Sequence, residues 1–198
     1  MATDIAAIVR ELLSFYDFTD KTVIAVGAGG GQFASWARPT RKVVAVDSDP
    51  DALARLAEAV ARLALADRYE MVAADFHSLE RTGDAVLFEF CLHEIPDPAA
   101  ALRRAKRLAP DVVVIDHAPG SPWAYYTAEE EKVAAEWRAL ESFPLRHSRL
   151  LETVQVFDDF SSLVEKVKSQ GEPSLGRVET FRGQTTITIP MTYGMAIV

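Results

Sequence analysis

The chain has 198 residues, enough for one domain that buries roughly 70% of its unfolded surface. Its composition (49% hydrophobic, 25% charged) is that of a soluble globular protein, and a net charge of −8 argues against nucleic acid or an anionic membrane as the main partner, since both reward basic patches. Cys91 is the single cysteine, which excludes an intrachain disulfide and a cysteine-based zinc cluster.

At the N-terminus, Asp4, Arg10 and Glu11 stand where a secretory signal needs an apolar core. No apolar run in the chain reaches the roughly 18 residues of a membrane span. A cytoplasmic protein is therefore expected. Ile5, Ile8, Val9, Leu12, Leu13 and Tyr16 recur at helical spacing and predict an amphipathic helix over residues 4–16. Tyr16 or Phe18, just before the first strand, is a candidate to close over a ligand.

Val23-Ile24-Ala25-Val26 reads as a buried strand, and Gly27-Ala28-Gly29-Gly30-Gly31 as a tight turn leading into helical sequence from Phe33. A strand, a glycine-rich turn and a helix start together aim backbone N–H groups at a nucleotide-like ligand. Glycines at 27, 29 and 31 give G-x-G-x-G, whereas a dinucleotide fingerprint places its third glycine where this chain has Gln32. Lys42 to Asp47 is a second strand, ending in an acid placed to accept ribose hydroxyls. Asp49 and Pro50 then open a helix as N-cap and first helical residue.

Tyr69 to Asp75 is a third strand, again ending in an acid, with Phe76 next. Asp84 to Phe90 is a fourth, and Asp97-Pro98 opens a helix to about Ala109. Asp111 to Asp116 is continuously apolar inside and so reads as a fifth strand buried on both faces. Strands alternating with helices predict an α/β, Rossmann-like, doubly wound and mostly parallel sheet. From His117 the rhythm breaks. Thr127-Ala128-Glu129-Glu130 reads as a capping box for a helix to about Ser142, residues 143–156 look irregular, and Asp158 to Gln170 reads as a further helix. Two closing strands are expected over 177–182 and 185–197, with Gly183-Gln184 as their hairpin turn. No linker divides the chain, so residues 1–198 are expected to form one domain, with 1–20 as an N-terminal helix and 117–157 as a helical lid insert.

In Val26-Gly27-Ala28-Gly29-Gly30-Gly31, Val46-Asp47-Ser48-Asp49, Ala74-Asp75-Phe76 and Leu92-His93-Glu94-Ile95-Pro96-Asp97-Pro98 the chain resembles class I S-adenosylmethionine-dependent methyltransferases of the small-molecule type. The resemblance implies S-adenosylmethionine as cofactor and a seven-stranded sheet with an antiparallel C-terminal hairpin. Gly27, Ala28, Gly29 and Gly31 would hold the methionine part and ribose, Asp47 with Ser48 the ribose hydroxyls, and Asp75 with Phe76 the adenine. Residues 89–93, among them Glu89 and Phe90, would border the transferable methyl.

One departure is Ala25, which stands where the family has an acid; Glu89, at the end of the neighbouring fourth strand, is the candidate to supply the missing carboxylate. Methyl transfer is an in-line displacement that needs alignment more than proton relay. His93 is the candidate base for a protic acceptor. Tyr16, His117, Trp123, Tyr125 and Tyr126 are candidates to line a narrow acceptor pocket. No metal is expected, because His93, Glu94, Asp116 and His117 lack a ligand spacing such as H-x-x-x-H. A small-molecule substrate is the expected partner, and a homodimer stays open. Two other readings are carried: a cofactor-binding protein without turnover, which Ala25 favours, and a nicotinamide-dependent oxidoreductase, which Gln32 disfavours.

Overall fold

A computed structural model describes residues 4–198. Its centre is a seven-stranded sheet in the order β3-β2-β1-β4-β5-β7-β6. Strands β1 (Thr22–Val26), β2 (Lys42–Asp47), β3 (Tyr69–Ala73), β4 (Ala85–Glu89) and β5 (Asp111–His117) run parallel, and β7 (Ile187–Ile197) runs antiparallel to β5 and to β6 (His147–Phe157).

Alternate residues of each strand point to opposite faces, and each face is covered by helices. Val23, Ala25, Leu87 and Ile115 pack under α1 (Ile5–Phe15), α2 (Pro50–Arg62) and α6 (Phe160–Val167). Ile24, Val26, Phe88 and Val114 pack under α3 (Pro98–Leu108) and α5 (Glu130–Glu141). Because parallel strands share a direction, the carboxyl ends of β1 to β5 lie along one edge, where the strand order reverses between β1 and β4. A crevice opens at such a reversal.

The expected starts at Asp49-Pro50 and Asp97-Pro98 are found: Asp49 accepts from the N–H of Asp51 and Asp97 from that of Ala100. Three local expectations are corrected. Residues 177–182 are not a strand; α7 (Glu172–Val178) and a 3₁₀ turn over Glu179–Phe181 occupy them. Pro173 in the first turn of α7, with Ser174 and Val178 buried four apart, sets helical rather than alternating burial. The strand that pairs with β7 is instead β6, inside the segment read as irregular lid. It lies at the sheet edge, and its inward face carries Arg149, Thr153 and Gln155 while Leu150 and Val154 are exposed, so the apolar-polar alternation is faint in the sequence although the burial alternates. Thirdly, the turn after the glycines continues as a single 3₁₀ turn, Ala34–Ala37, because Pro39 follows too closely for an α-helix.

α5 also starts differently from expectation. Glu129 sits at its cap without a side-chain capping bond, and the Thr127 hydroxyl donates to Glu129 Oε2 at 2.6 Å. Ala128, with φ of 57°, turns the chain between α4 (Pro122–Tyr126) and α5. Among the described residues no helix is long and apolar enough to cross a membrane.

Candidate active site

Two cavities meet at the crevice. The first, about 580 Å³, is lined by Val26, Gly27, Asp47, Ser48, Asp75 and Phe76, with Cys91 and Ile95 opposite. Gly27 has φ of +61°, and a Cβ there would fall 2.4 Å from the Cβ of Cys91, so only glycine leaves this floor open. Gly29 lies outside the lining, but its N–H donates to Asp47 Oδ2 at 3.2 Å and ties the loop to the end of β2. Asp47 Oδ1 accepts from the N–H of Asp49 at 2.9 Å. Asp75 caps a 3₁₀ turn through the N–H of His77, and the Phe76 ring is wedged edge-on against Phe88 at 5.4 Å.

Ala28, Gly31 and Glu89 face a separate gap of about 10 Å³ beneath the loop, together with Ala25, Trp36 and Tyr69. That is room for one water. Glu89 Oε2 accepts from Trp36 Nε1 at 2.7 Å, and burial pushes its pKa up to about 7 against that bond. Ala25 and Glu89 share a sheet face, since Ala25 pairs with Leu87 and Glu89 lies two residues on. The carboxyl thus occupies the region that the small Ala25 side chain leaves free.

The second cavity, about 330 Å³, is lined by Phe33, Phe90, His93, His117, Trp123 and Glu129, with Gln155, Gln170 and Met191. Phe90, held at φ of +49°, stacks on Phe33 at 5.2 Å. Glu94 lines both cavities. Both cavities therefore border the 3₁₀ turn Leu92–Glu94 that follows β4.

His93 is buried and clamped. Its Nδ1 lies 2.6 Å from Asp116 Oδ1, while Asp116 Oδ2 accepts from the N–H groups of Leu92 and His93. Its Nε2 lies 3.5 Å from Glu94 Oε1 and 3.8 Å from Glu129 Oε1. Burial alone would lower the proton affinity of the ring, but the bonds to Asp116, Glu129 and Glu94 outweigh it and push the pKa up to about 12. These acids favour the charged ring, so Nε2 offers a lone pair only where its proton is given up. His117 differs: burial, and the charge of His93, hold it below the ordinary histidine range. Behind them Glu136 of α5 is fully buried, and burial and the adjacent Asp116 charge push its pKa well above the usual carboxylate range.

Three expected lining residues are elsewhere. Tyr16 donates to Asp111 Oδ2 at 2.6 Å, at the start of β5 and so at the opposite edge of the sheet. Tyr125 is half exposed under the Arg177 guanidinium, and Tyr126 packs on Phe181 at 5.0 Å; neither lines the cavity. Their place is taken by Glu129, Thr127, Gln155 and Gln170, which the sequence reading missed. A buried acid at the start of α5 looks like a helix-start charge in sequence. Only its burial sets it apart.

Comparisons with known proteins agree with this geometry. A family model described as a methyltransferase domain matches residues 1–160. No curated protein sequence matches the chain. Among solved structures, the YcgJ protein of Bacillus subtilis superposes with a TM-score of 0.69 at 12% identity, covering 98% of this chain and 96% of that one. A SAM-dependent methyltransferase from Aquifex aeolicus gives 0.59 at 19% identity, covering 99% and 90%. Precorrin 8w decarboxylase of Methanobacterium thermoautotrophicum gives 0.63 at 12% identity, covering 97% and 89%. At these identities the likeness is one of fold.

Proposed function

This chain belongs to the methyltransferase domain family, and from that premise we propose that it methylates a small organic acceptor. Its cofactor is S-adenosylmethionine, which when bound supplies an electrophilic methyl group on a sulfonium. The residues fit that group. The cavity that Gly27 keeps open is lined by two carboxylates, Asp47, which would take the ribose hydroxyls, and Asp75, which would take the adenine amino group, with Phe76 next to it. Glu89, under the glycine loop and facing a gap with room for one water, is the carboxylate assigned to the methionine end, which it would face through that water.

The observation that carries the small-molecule reading is the second cavity. It is about 330 Å³, it shares Glu94 with the first, and its walls of Phe33, Phe90 and Trp123 admit a compact organic molecule. The stacked Phe33 and Phe90 rings give this cavity an apolar wall, and His93, fixed by Asp116, would present its Nε2 edge to a polar group of the acceptor. Trp123, stacked on Phe157 at 5.7 Å, closes the far side.

The test has two arms. Calorimetry should show uptake of S-adenosylmethionine and S-adenosylhomocysteine but not NAD, with Asp47→Ala weakening the first two by about tenfold to a hundredfold, the scale of one or two hydrogen bonds to a charged group. Methyl-labelled cofactor incubated with separated small-molecule, RNA and protein fractions should label the first. Label confined to RNA or protein would overturn the reading.

A further inference from the structure

The acceptor cavity carries a feature that methyl transfer does not require. His93, His117 and Glu129, all less than a tenth exposed, each place a ligand-type atom within 4.8 Å of the other two. His117 Nδ1 is buried without a hydrogen-bond partner among the described residues. An unpaired buried ring nitrogen is costly, and the residue that carries it lines the acceptor cavity. We propose that His93, His117 and Glu129 bind a divalent transition-metal ion, zinc, iron(II) or cobalt(II) by the chemistry of the donors, the Nε2 proton of His93 passing to water as the ion takes its place.

Two imidazoles and one carboxylate suit these ions better than magnesium or calcium, which prefer all-oxygen sites. Donors about 2.0–2.2 Å from a shared ion lie roughly 3–3.5 Å from each other. The 3.8 Å between His93 Nε2 and Glu129 Oε1 needs only a small inward movement. The surrounding bonds are those of a prepared site. His93 Nδ1 faces Asp116, whose other oxygen is held by backbone N–H groups, so Nε2 points at the cavity. Glu129 is oriented by the Thr127 hydroxyl at 2.6 Å and by Gln170 Nε2 at 2.8 Å. A carboxylate behind a ligating histidine and donors behind a ligating carboxylate fix ring and oxygen orientation.

Three protein ligands leave at least one position facing the cavity, the pattern of a site that takes a further ligand. An ion there would bind the oxygen or sulfur of a hydroxyl or thiol acceptor and lower its proton affinity, the proton leaving to water. That acceptor class rests on the methyl-transfer reading; the site itself does not.

The experiment uses the whole chain, stripped with chelator and titrated with Zn²⁺ or Co²⁺, with S-adenosylmethionine affinity measured in parallel. One equivalent of metal should bind, Co²⁺ should give ligand-field absorption, and His117→Asn and Glu129→Gln should each lower metal affinity at least tenfold while keeping cofactor affinity. Because the chain has four histidines, nuclear magnetic resonance gives a second reading that needs no ligand variant. Co²⁺ should broaden the ring signals of His93 and His117, and His77→Asn and His147→Asn, which identify the other two, should leave uptake unchanged. Cofactor binding without metal uptake overturns this inference alone. So does uptake that persists in both ligand variants, or broadening centred on His77 or His147.

Discussion

At the scale of the residue, Glu89 is the group whose environment and expected role pull against each other. Burial favours its neutral form, while a cation at the methionine end of the cofactor would favour the charged one. An acid whose folded pKa lies above its unfolded value binds more protons folded than unfolded. Its contribution is therefore full below the ordinary value of 4.5 and is lost as pH rises toward about 7. Without cofactor, stability should fall by up to roughly 3 kcal/mol over that window, and Glu89→Gln should remove the fall. Urea unfolding of both proteins at pH 5 and pH 8 measures it. With cofactor, titration in buffers of different ionisation heat near pH 7 should show proton release in the wild type and none in Glu89→Gln, whose affinity should drop. Equal affinity and equal proton release would remove Glu89 from the cofactor's environment.

At the scale of the element, helix α1 was expected to bring Tyr16 to the ligand, and the structure instead uses that residue as a clasp at the far edge. The Tyr16 hydroxyl donates to Asp111 at the start of β5, and Arg146 pairs with the other Asp111 oxygen at 2.7 Å. Burial, and the Asp111 charge, raise the tyrosine pKa, while the bonds to Tyr16 and Arg146 hold Asp111 below the usual carboxylate range. Tyr16→Phe should therefore cost about 1–2 kcal/mol in chemical unfolding, the scale of a hydrogen bond to a charged group, and leave cofactor affinity unchanged. A loss of cofactor affinity larger than twofold would place α1 back at the site. The helix periodicity that predicted α1 was sound. It says which face is buried, not which end of a strand that face reaches.

At the scale of the whole molecule, the acceptor cavity depends on how α5 is seated on the sheet. Trp137 of α5 lies over Gly194 of β7, where a Cβ would fall 2.3 Å from the indole ring, and its Nε1 donates to the His117 carbonyl at 2.7 Å. The same helix begins beside Glu129 and carries Glu136. Gly194→Ala should therefore lift α5, destabilise the protein by about 1–3 kcal/mol as overpacking does, and raise the acceptor KM by several fold more than it weakens cofactor binding. Steady-state kinetics with calorimetry on one preparation would check the split; equal losses on both sides would mean that α5 does not shape the acceptor cavity separately.

Much of the cofactor half was legible in the sequence because its signals are local. Gly27, Asp47 and Asp75 each stand at or just past the end of a strand, and the Asp-Pro pairs at 49–50 and 97–98 mark helix starts by short-range bonding alone. The Rossmann-like, doubly wound order followed from that alternation, since parallel strands need helical crossovers.

The acceptor half was decided by the tertiary structure. β6 escaped notice because polar residues such as Arg149, Thr153 and Gln155 face inward and the apolar Leu150 and Val154 face out, and its pairing with β7 spans the helices between them. Tyr16 and Glu129 exchanged their expected roles for the same kind of reason. A side chain's place relative to a cavity is set by contacts across the fold, such as Tyr16 with Asp111 or Glu129 with Gln170, and no nearby residue records them.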